Sequence, residues 1–321
     1  MVPAVKTIFG TNWTGPRQTF LVAVIVSVLP LAGVSAIRPS NKSLAASSLA
    51  ANAIEDSTKT GPVGPGATGP RVVRAQILMD RARFSPGEID GVYGDDFAIA
   101  VTGYQETHGL KPTGTIDEQM WRLLDTDAGS PLLTYTITKA DEKGPFQPIP
   151  DDTLEKAKMK WLGFETSEEG LGEKFHSSPR LLAELNPGLK MDAVGIRINV
   201  PNVRHIPGGL ALRVVASKSK RTVIAYGAGG KVLAQFPATM GDTHDPLRNW
   251  KITSVVHYPW FNYDPELVWN PDPKQASAIL QPGPRNPSAP SGSDSRKNIM
   301  ESMGRRIRGI SGTANQLGAS A

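Results

Sequence analysis

An α+β chain of several small domains is what the sequence predicts, and three observations predict it. Residues 71–127 place apolar side chains at helical spacing, and residues 132–203 begin and end in strand-like runs with helical patterning between them. From Ala211 onward the pattern turns to strands. At 321 residues the chain is long enough for two or three domains that each bury a core.

Each element follows from local chemistry. In the first region Phe97, Val101 and Tyr104 fall at i, i+4, i+7 after a cap candidate at Asp95, and Gly109 stops the run. Met120, Trp121 and Leu124 follow Asp117, and with the leading "RVVRAQILMDRARF" they make a three-helix miniature domain over 71–127. In the second region "LLTYTIT" reads as a strand, and so does "GIRINVPNV", where Ile196, Ile198 and Val200 alternate. Between them Ser178-Pro179 opens a helix, Leu181, Leu182 and Leu185 form its apolar face, and Asn186-Pro187-Gly188 closes it.

Composition limits the chemistry. The 35 basic and 30 acidic residues leave a net charge of +5, which suits an anionic partner without naming one. These 321 residues contain no cysteine, so a disulfide framework, a thiolate metal site and a cysteine nucleophile are all excluded within them. The turn Gly227-Ala228-Gly229-Gly230-Lys231 lacks a Ser or Thr after Lys and leads into a strand, so it reads as a hairpin and not a phosphate loop. His108, His176, His205, His244 and His257 show no metal-ligand spacing. Asp95-Asp96, Asp151-Asp152 and Glu168-Glu169 read as solvated caps rather than acid–base pairs. Trp260, Phe261, Tyr263 and Trp269 either line a glycan or peptide groove or pack among strands and loops. The sequence therefore nominates no catalytic residue, no cofactor and no metal.

At the N-terminus Lys6 and Arg17 precede an apolar run, Leu21–Ala36, that ends in Val34-Ser35-Ala36. The run is shorter than the ~20 residues a membrane-spanning helix needs. Residues 1–36 are thus expected to be an export signal, cleaved after Ala36, with an uncleaved anchor as the alternative. That places the protein in the periplasm or cell envelope, touching a membrane only through the signal. Residues 37–70, rich in Ala, Ser, Gly and Pro, are expected to be a disordered linker.

The stretch "FSPGEIDGVYGDDFAIAVTGYQETHGLKPTGTIDEQMWRLL" resembles the peptidoglycan-binding helical domain. The residues that carry the resemblance are Gly87, Asp90, Gly91, Tyr93, Gly94, Tyr104, Gln105, Gly109, Leu110, Thr113, Gly114, Trp121 and Leu124. Residues 132–203, with strand, helices, L-N-P-G and a closing I-x-V-P, are similar to a LysM glycan-binding module. Together these resemblances imply peptidoglycan, both glycan strands and stem peptides, as the partner.

The hairpin after Ala211, "MGDTHDP", "WKITSVVHYPWFNYDPELVWNPDP" and "ILQPGPRNP" resemble the first half of the L,D-transpeptidase catalytic domain, a mainly β fold, over residues 211–287. The resemblance implies an exported enzyme that crosslinks peptidoglycan: a Cys thiolate attacks a stem-peptide carbonyl, a His serves as base, and the acyl group passes to the amine of a second stem. Its two motifs, G-I-H-G-T and S-H-G-C-x-R-L, are missing. In their place stands "SAPSGSDSRKNIMESMGRRIRGISGTANQLGASA", residues 288–321, without strand periodicity.

The genetic code accounts for the break. When the third base of each codon is joined to the first two of the next, Met300-Glu301 and Met303-Gly304 each force Gly. Glu301-Ser302 then permits Ile, Ser302-Met303 His and Gly304-Arg305 Thr. Further on, Asn315-Gln316 permits Ser, Leu317-Gly318 Gly, Gly318-Ala319 Cys and Ser320-Ala321 Arg. The G-I-H-G-T motif and the Ser, Gly, Cys and Arg of the second return in order in the shifted frame, so residues 288–321 are expected to be an out-of-frame, disordered tail. Arg296, Lys297, Arg305, Arg306 and Arg308 then carry incidental charge, and no nucleic-acid partner is expected. The reading is an L,D-transpeptidase relative that is inactive as given, with a non-catalytic peptidoglycan-binding protein as the alternative. A β domain without its later strands is expected to be poorly ordered beyond about Ala211.

Overall fold

Helix α1 (Pro70–Arg81) opens on a proline in its first turn, and every residue from Val72 to Asp80 is buried. A helix buried all round belongs in the middle of a structure. In this computed structural model, which describes residues 51–127, 129–204, 209–238, 258–265 and 276–286, α1 serves two cores at once. Val72, Ala75, Leu78 and Met79 face one, while Val73 and Ile77 face the other. The expected export signal, residues 37–50 of the expected linker and the 288–321 tail lie outside the described residues.

The first core belongs to a three-helix module. Helix α2 (Asp95–Thr107) is capped by Gly94, so Asp95 and Asp96 sit in its first turn, one place later than the expected cap, where they complement the helix dipole. Helix α3 (Glu118–Leu124) starts at Asp117, whose carboxylate accepts from Met120 N at 2.9 Å. Phe97, Val101, Tyr104, Met120, Trp121 and Leu124, from α2 and α3, fill the space against α1's inner face.

Next comes a two-stranded antiparallel sheet with three short helices. Strand β1 (Leu132–Thr136) pairs with β2 (Arg197–Pro201) from Leu132↔Pro201 to Thr136↔Arg197. Between them α4 (Thr153–Lys158), α5 (Ser167–Lys174) and α6 (Pro179–Leu185) start at the side-chain caps Asp152, Thr166 and Ser178. Asn186 ends α6 and ties it to the sheet. Its Nδ2 donates to Leu182 O and Asn199 O, both at 2.8 Å, and its Oδ1 accepts from Asn199 N at 2.6 Å.

A three-stranded antiparallel sheet follows, β3 (Arg213–Ser217), β4 (Thr222–Tyr226) and β5 (Val232–Pro237), with β4 in the centre. The β4–β5 connection, Gly227–Lys231, is the expected hairpin turn, with Gly229 and Gly230 at positive φ. The short strands β6 (Phe261–Tyr263) and β7 (Ala278–Leu280) pair antiparallel. This mixed helix-and-sheet architecture, with several small antiparallel sheets, is the predicted fold class.

Three features depart from the expected segments. Part of the expected linker is built into the structure: residues 51–55 are helical, Ile54 and Val63 are buried, and Val63 N donates to Ile116 O at 3.0 Å. Composition concealed this, because a few well-placed apolar side chains suffice to anchor a polar segment. Second, the boundary near residue 130 does not divide two cores, since Ile54, Val73, Ile77, Ile89, Leu132, Leu181 and Leu185 pack in one cluster.

Third, the β3–β5 sheet is docked on the helical module. Gln235 N donates to Arg83 O at 2.8 Å and Ser85 N to Gln235 O at 2.9 Å, while the Gln235 side chain donates to Ile99 O at 3.0 Å. Gly103 makes room for that side chain, because a Cβ there would stand 2.1 Å from its Oε1. Residues 213–237 thus form a docked sheet where poor order was expected, because α2 and the 83–85 turn supply partners that later strands were expected to supply.

Candidate functional site

The residues that carry the helical-domain resemblance fall in two loops, 85–94 and 108–117, and on the helices beneath them. Gly87 and Gly91 have φ of 82° and 76°, a region glycine enters freely, so the 85–94 loop can turn twice in a few residues. Between them Asp90 closes a local turn, its Oδ1 accepting from Val92 N at 2.9 Å and from Gln76 Nε2 at 2.9 Å. Gln76 in turn accepts at Oε1 from Gly91 N at 2.8 Å and Asp90 N at 3.2 Å. One buried carboxamide on α1 therefore reads both the donors and the acceptors of the loop.

The rest of the set is skeleton too. Tyr93 OH donates to Gly114 O, and Gln105 Oε1 accepts from Gly114 N at 3.0 Å while its Nε2 donates to Thr115 O at 2.9 Å. Burial pushes the Tyr93 hydroxyl up to about 12, so it stays a donor at any ordinary pH. Trp121 Nε1 donates to Gly61 O at 3.1 Å, and Leu124 is buried. Gly109 and Gly114 both sit at φ of 69°. The pattern specifies a shape, and the surface it presents is the loop it holds in place.

That loop borders a crevice shared with the middle segment, lined by Glu88, Glu169, Gly172, Glu173, His176, Ser177 and Pro179. The join is made by backbone: Ile89 N donates to His176 O at 2.8 Å and Ser178 N to Ile89 O at 3.0 Å. Arg180 Nη2 donates to Asp90 O at 3.0 Å, and His176 Nδ1 lies 3.0 Å from Oδ2 of the fully buried Asp80. Burial, then the Asp90 and Glu173 charges, push the Glu88 carboxyl up to about 7 against the opposing pull of Arg180.

Sequence reasoning located the loop and left out the crevice. Glu88 and Glu173 carry no motif, and they meet only because Ile89 and Ser177 pair. Gln76 had a weak signal, a polar residue on an otherwise apolar helix face. Of the histidines, His176 enters the crevice and His108 stacks on Tyr104 with centroids 3.9 Å apart, whereas His205, His244 and His257 lie outside the described residues. Of the paired acids, Asp95-Asp96 and Glu168-Glu169 lie in first turns and Asp152 is a cap. Trp260, Phe261 and Tyr263 are described and Trp269 is not.

Among solved structures the chain is similar, at 16% identity and a TM-score of 0.20, to a fused Zn-dependent amidase/peptidase/peptidoglycan-binding domain-containing protein from Clostridium acetobutylicum, over 64% of this chain and 69% of that one. It is similar at 17% identity and a TM-score of 0.21 to an L,D-transpeptidase from Xylanimonas cellulosilytica, over 63% of this chain and 66% of that one. No curated protein matches. Residues 68–124, the three helices and the loop that Gln76 holds, match the family described as "Putative peptidoglycan binding domain".

Proposed function

We propose that the chain is a cell-wall protein that binds peptidoglycan through residues 68–124. The observation that carries this is the agreement between the family match over those residues and the construction of the 85–94 loop, whose every turn is fixed by Gln76, Asp90 and two positive-φ glycines. Export by residues 1–36 and a periplasmic or envelope location belong to the same proposal and rest on the "RQTFLVAVIVSVLPLAGVSA" pattern.

The finer reading makes the chain a relative of L,D-transpeptidases, on the residues of 211–287, with the His and Cys motifs hidden in the shifted frame of 288–321. Without cysteine these 321 residues have no thiolate for acyl transfer, so binding is the activity assigned to them. Sedimentation with purified sacculi tests the binding. Recovery of the chain in the pellet is the expected result, and recovery in the supernatant at every sacculus concentration contradicts it.

A further inference from the structure

The 85–94 loop is held from two sides, and one of them lies outside the residues that match the family. Gln76 grips the second half of the loop, bonding to Asp90, Gly91 and Val92. The middle segment grips the first half. Ile89 is fully buried in one cluster with Leu181 and Leu185 of α6, and its N and O pair with His176 O at 2.8 Å and Ser178 N at 3.0 Å. Arg180, in the first turn of α6, donates from Nη2 to Asp90 O at 3.0 Å, across 90 positions of chain.

These contacts matter because the loop's own backbone is permissive. Gly87 and Gly91, both at positive φ, have many conformations open to them when nothing restrains them. A loop free to sample those conformations has to be ordered at the moment of binding, at the expense of affinity. The two grips meet at Asp90: its carbonyl accepts from Arg180, and its side chain accepts from Val92 N at 2.9 Å. Val92, at 41% exposure, is an apolar side chain that the loop presents to solvent. Arg180 is itself steadied, since its Nη1 donates to Glu184 at 3.1 Å and the Glu88 charge attracts it.

We propose that Arg180 and the 176–178 backbone are positioning groups of the wall-binding site, so that the middle segment completes a site whose recognition residues lie in 68–124. Arg180 acts through the loop, by setting where Asp90 and Val92 stand. A guanidinium suits the role, because it keeps its charge at any ordinary pH and its planar fork serves Asp90 O and Glu184 at once. The inference rests on the wall-binding reading of 68–124 and adds that those residues bind less well without the middle segment's grip.

Two measurements on the full chain test it. Amide hydrogen exchange in Arg180→Ala is expected to be faster than in the wild type at Asp90, Gly91 and Val92 and unchanged in α2 and α3. The sacculus isotherm of the same variant is expected to show affinity weakened about threefold to tenfold at an unchanged saturation level. Arg180→Lys, which keeps a donor at that place, is expected to recover part of the loss. Unchanged exchange at all three amides overturns positioning by Arg180, and so does wild-type affinity in Arg180→Ala. Faster exchange throughout the chain overturns it too, since a general loss of stability then explains both results. The two proposals fail distinguishably: a wild-type chain that never pellets removes wall binding by 68–124 and the positioning role with it, whereas a wild type that pellets no better than Arg180→Ala removes the positioning role alone.

Discussion

Gly103 shows how one missing side chain fixes a contact. Glycine inside a helix costs about 1 kcal/mol relative to alanine, so Gly103→Ala would ordinarily stabilise α2. Here the new Cβ would lie 2.1 Å from Gln235 Oε1, and the Gln235 bond to Ile99 O would be displaced. Thermal unfolding is expected to show Gly103→Ala destabilised by about 1–2 kcal/mol, with Gln235→Ala in the same chain recovering part of the loss. Non-additivity of that kind distinguishes a direct contact from a general effect on the helix. The same scale explains what the sequence concealed. Asp117, Ser178 and Asn186 announce themselves because capping is local, whereas Gln235 and Gly103 lie far apart in the chain and carry no local mark.

Among elements, the 85–94 loop and α6 meet at a join with a built-in pH dependence. Folding holds the Glu88 proton to about pH 7, while an unfolded glutamate releases it near 4.5. The folded state binds more protons between those values, so Glu88's contribution to stability is fully present below about pH 4.5, declines as pH rises toward 7, and stays low above it. Glu88→Gln keeps the neutral form at all pH values. Urea unfolding is expected to find the variant level with the wild type near pH 4.5 and more stable at pH 8, and a constant difference across that range would remove Glu88 as the cause. The individual helices and strands were legible because their periodicity is local: α2, α3, α6, β1 and β2 all fall within the predicted segments. Their partners were not, since α1's second buried face is revealed only by Leu132, Leu181 and Leu185 packing on it.

For the whole molecule, legibility followed the same division. The order of helical module, strand–helix–strand segment and later strands was readable, and so was the loop of the candidate site, whose glycines and Asp90 form a dense motif. The sharing of cores between segments was not, and neither was the crevice or the Arg180–Asp90 contact, because each depends on residues tens of positions apart. The proposed wall binding by residues 68–124 joins these scales, since α1 supplies Gln76 to the loop and the core beneath it. A net charge of +5 could by itself draw the chain to an anionic polymer. The most direct measurement is therefore a sacculus-binding isotherm recorded at rising salt. Shape-specific binding predicts saturable retention that persists at about 0.3 M salt, where screening shortens electrostatic reach to well under 10 Å. Retention that vanishes over that range, or never saturates, would contradict it.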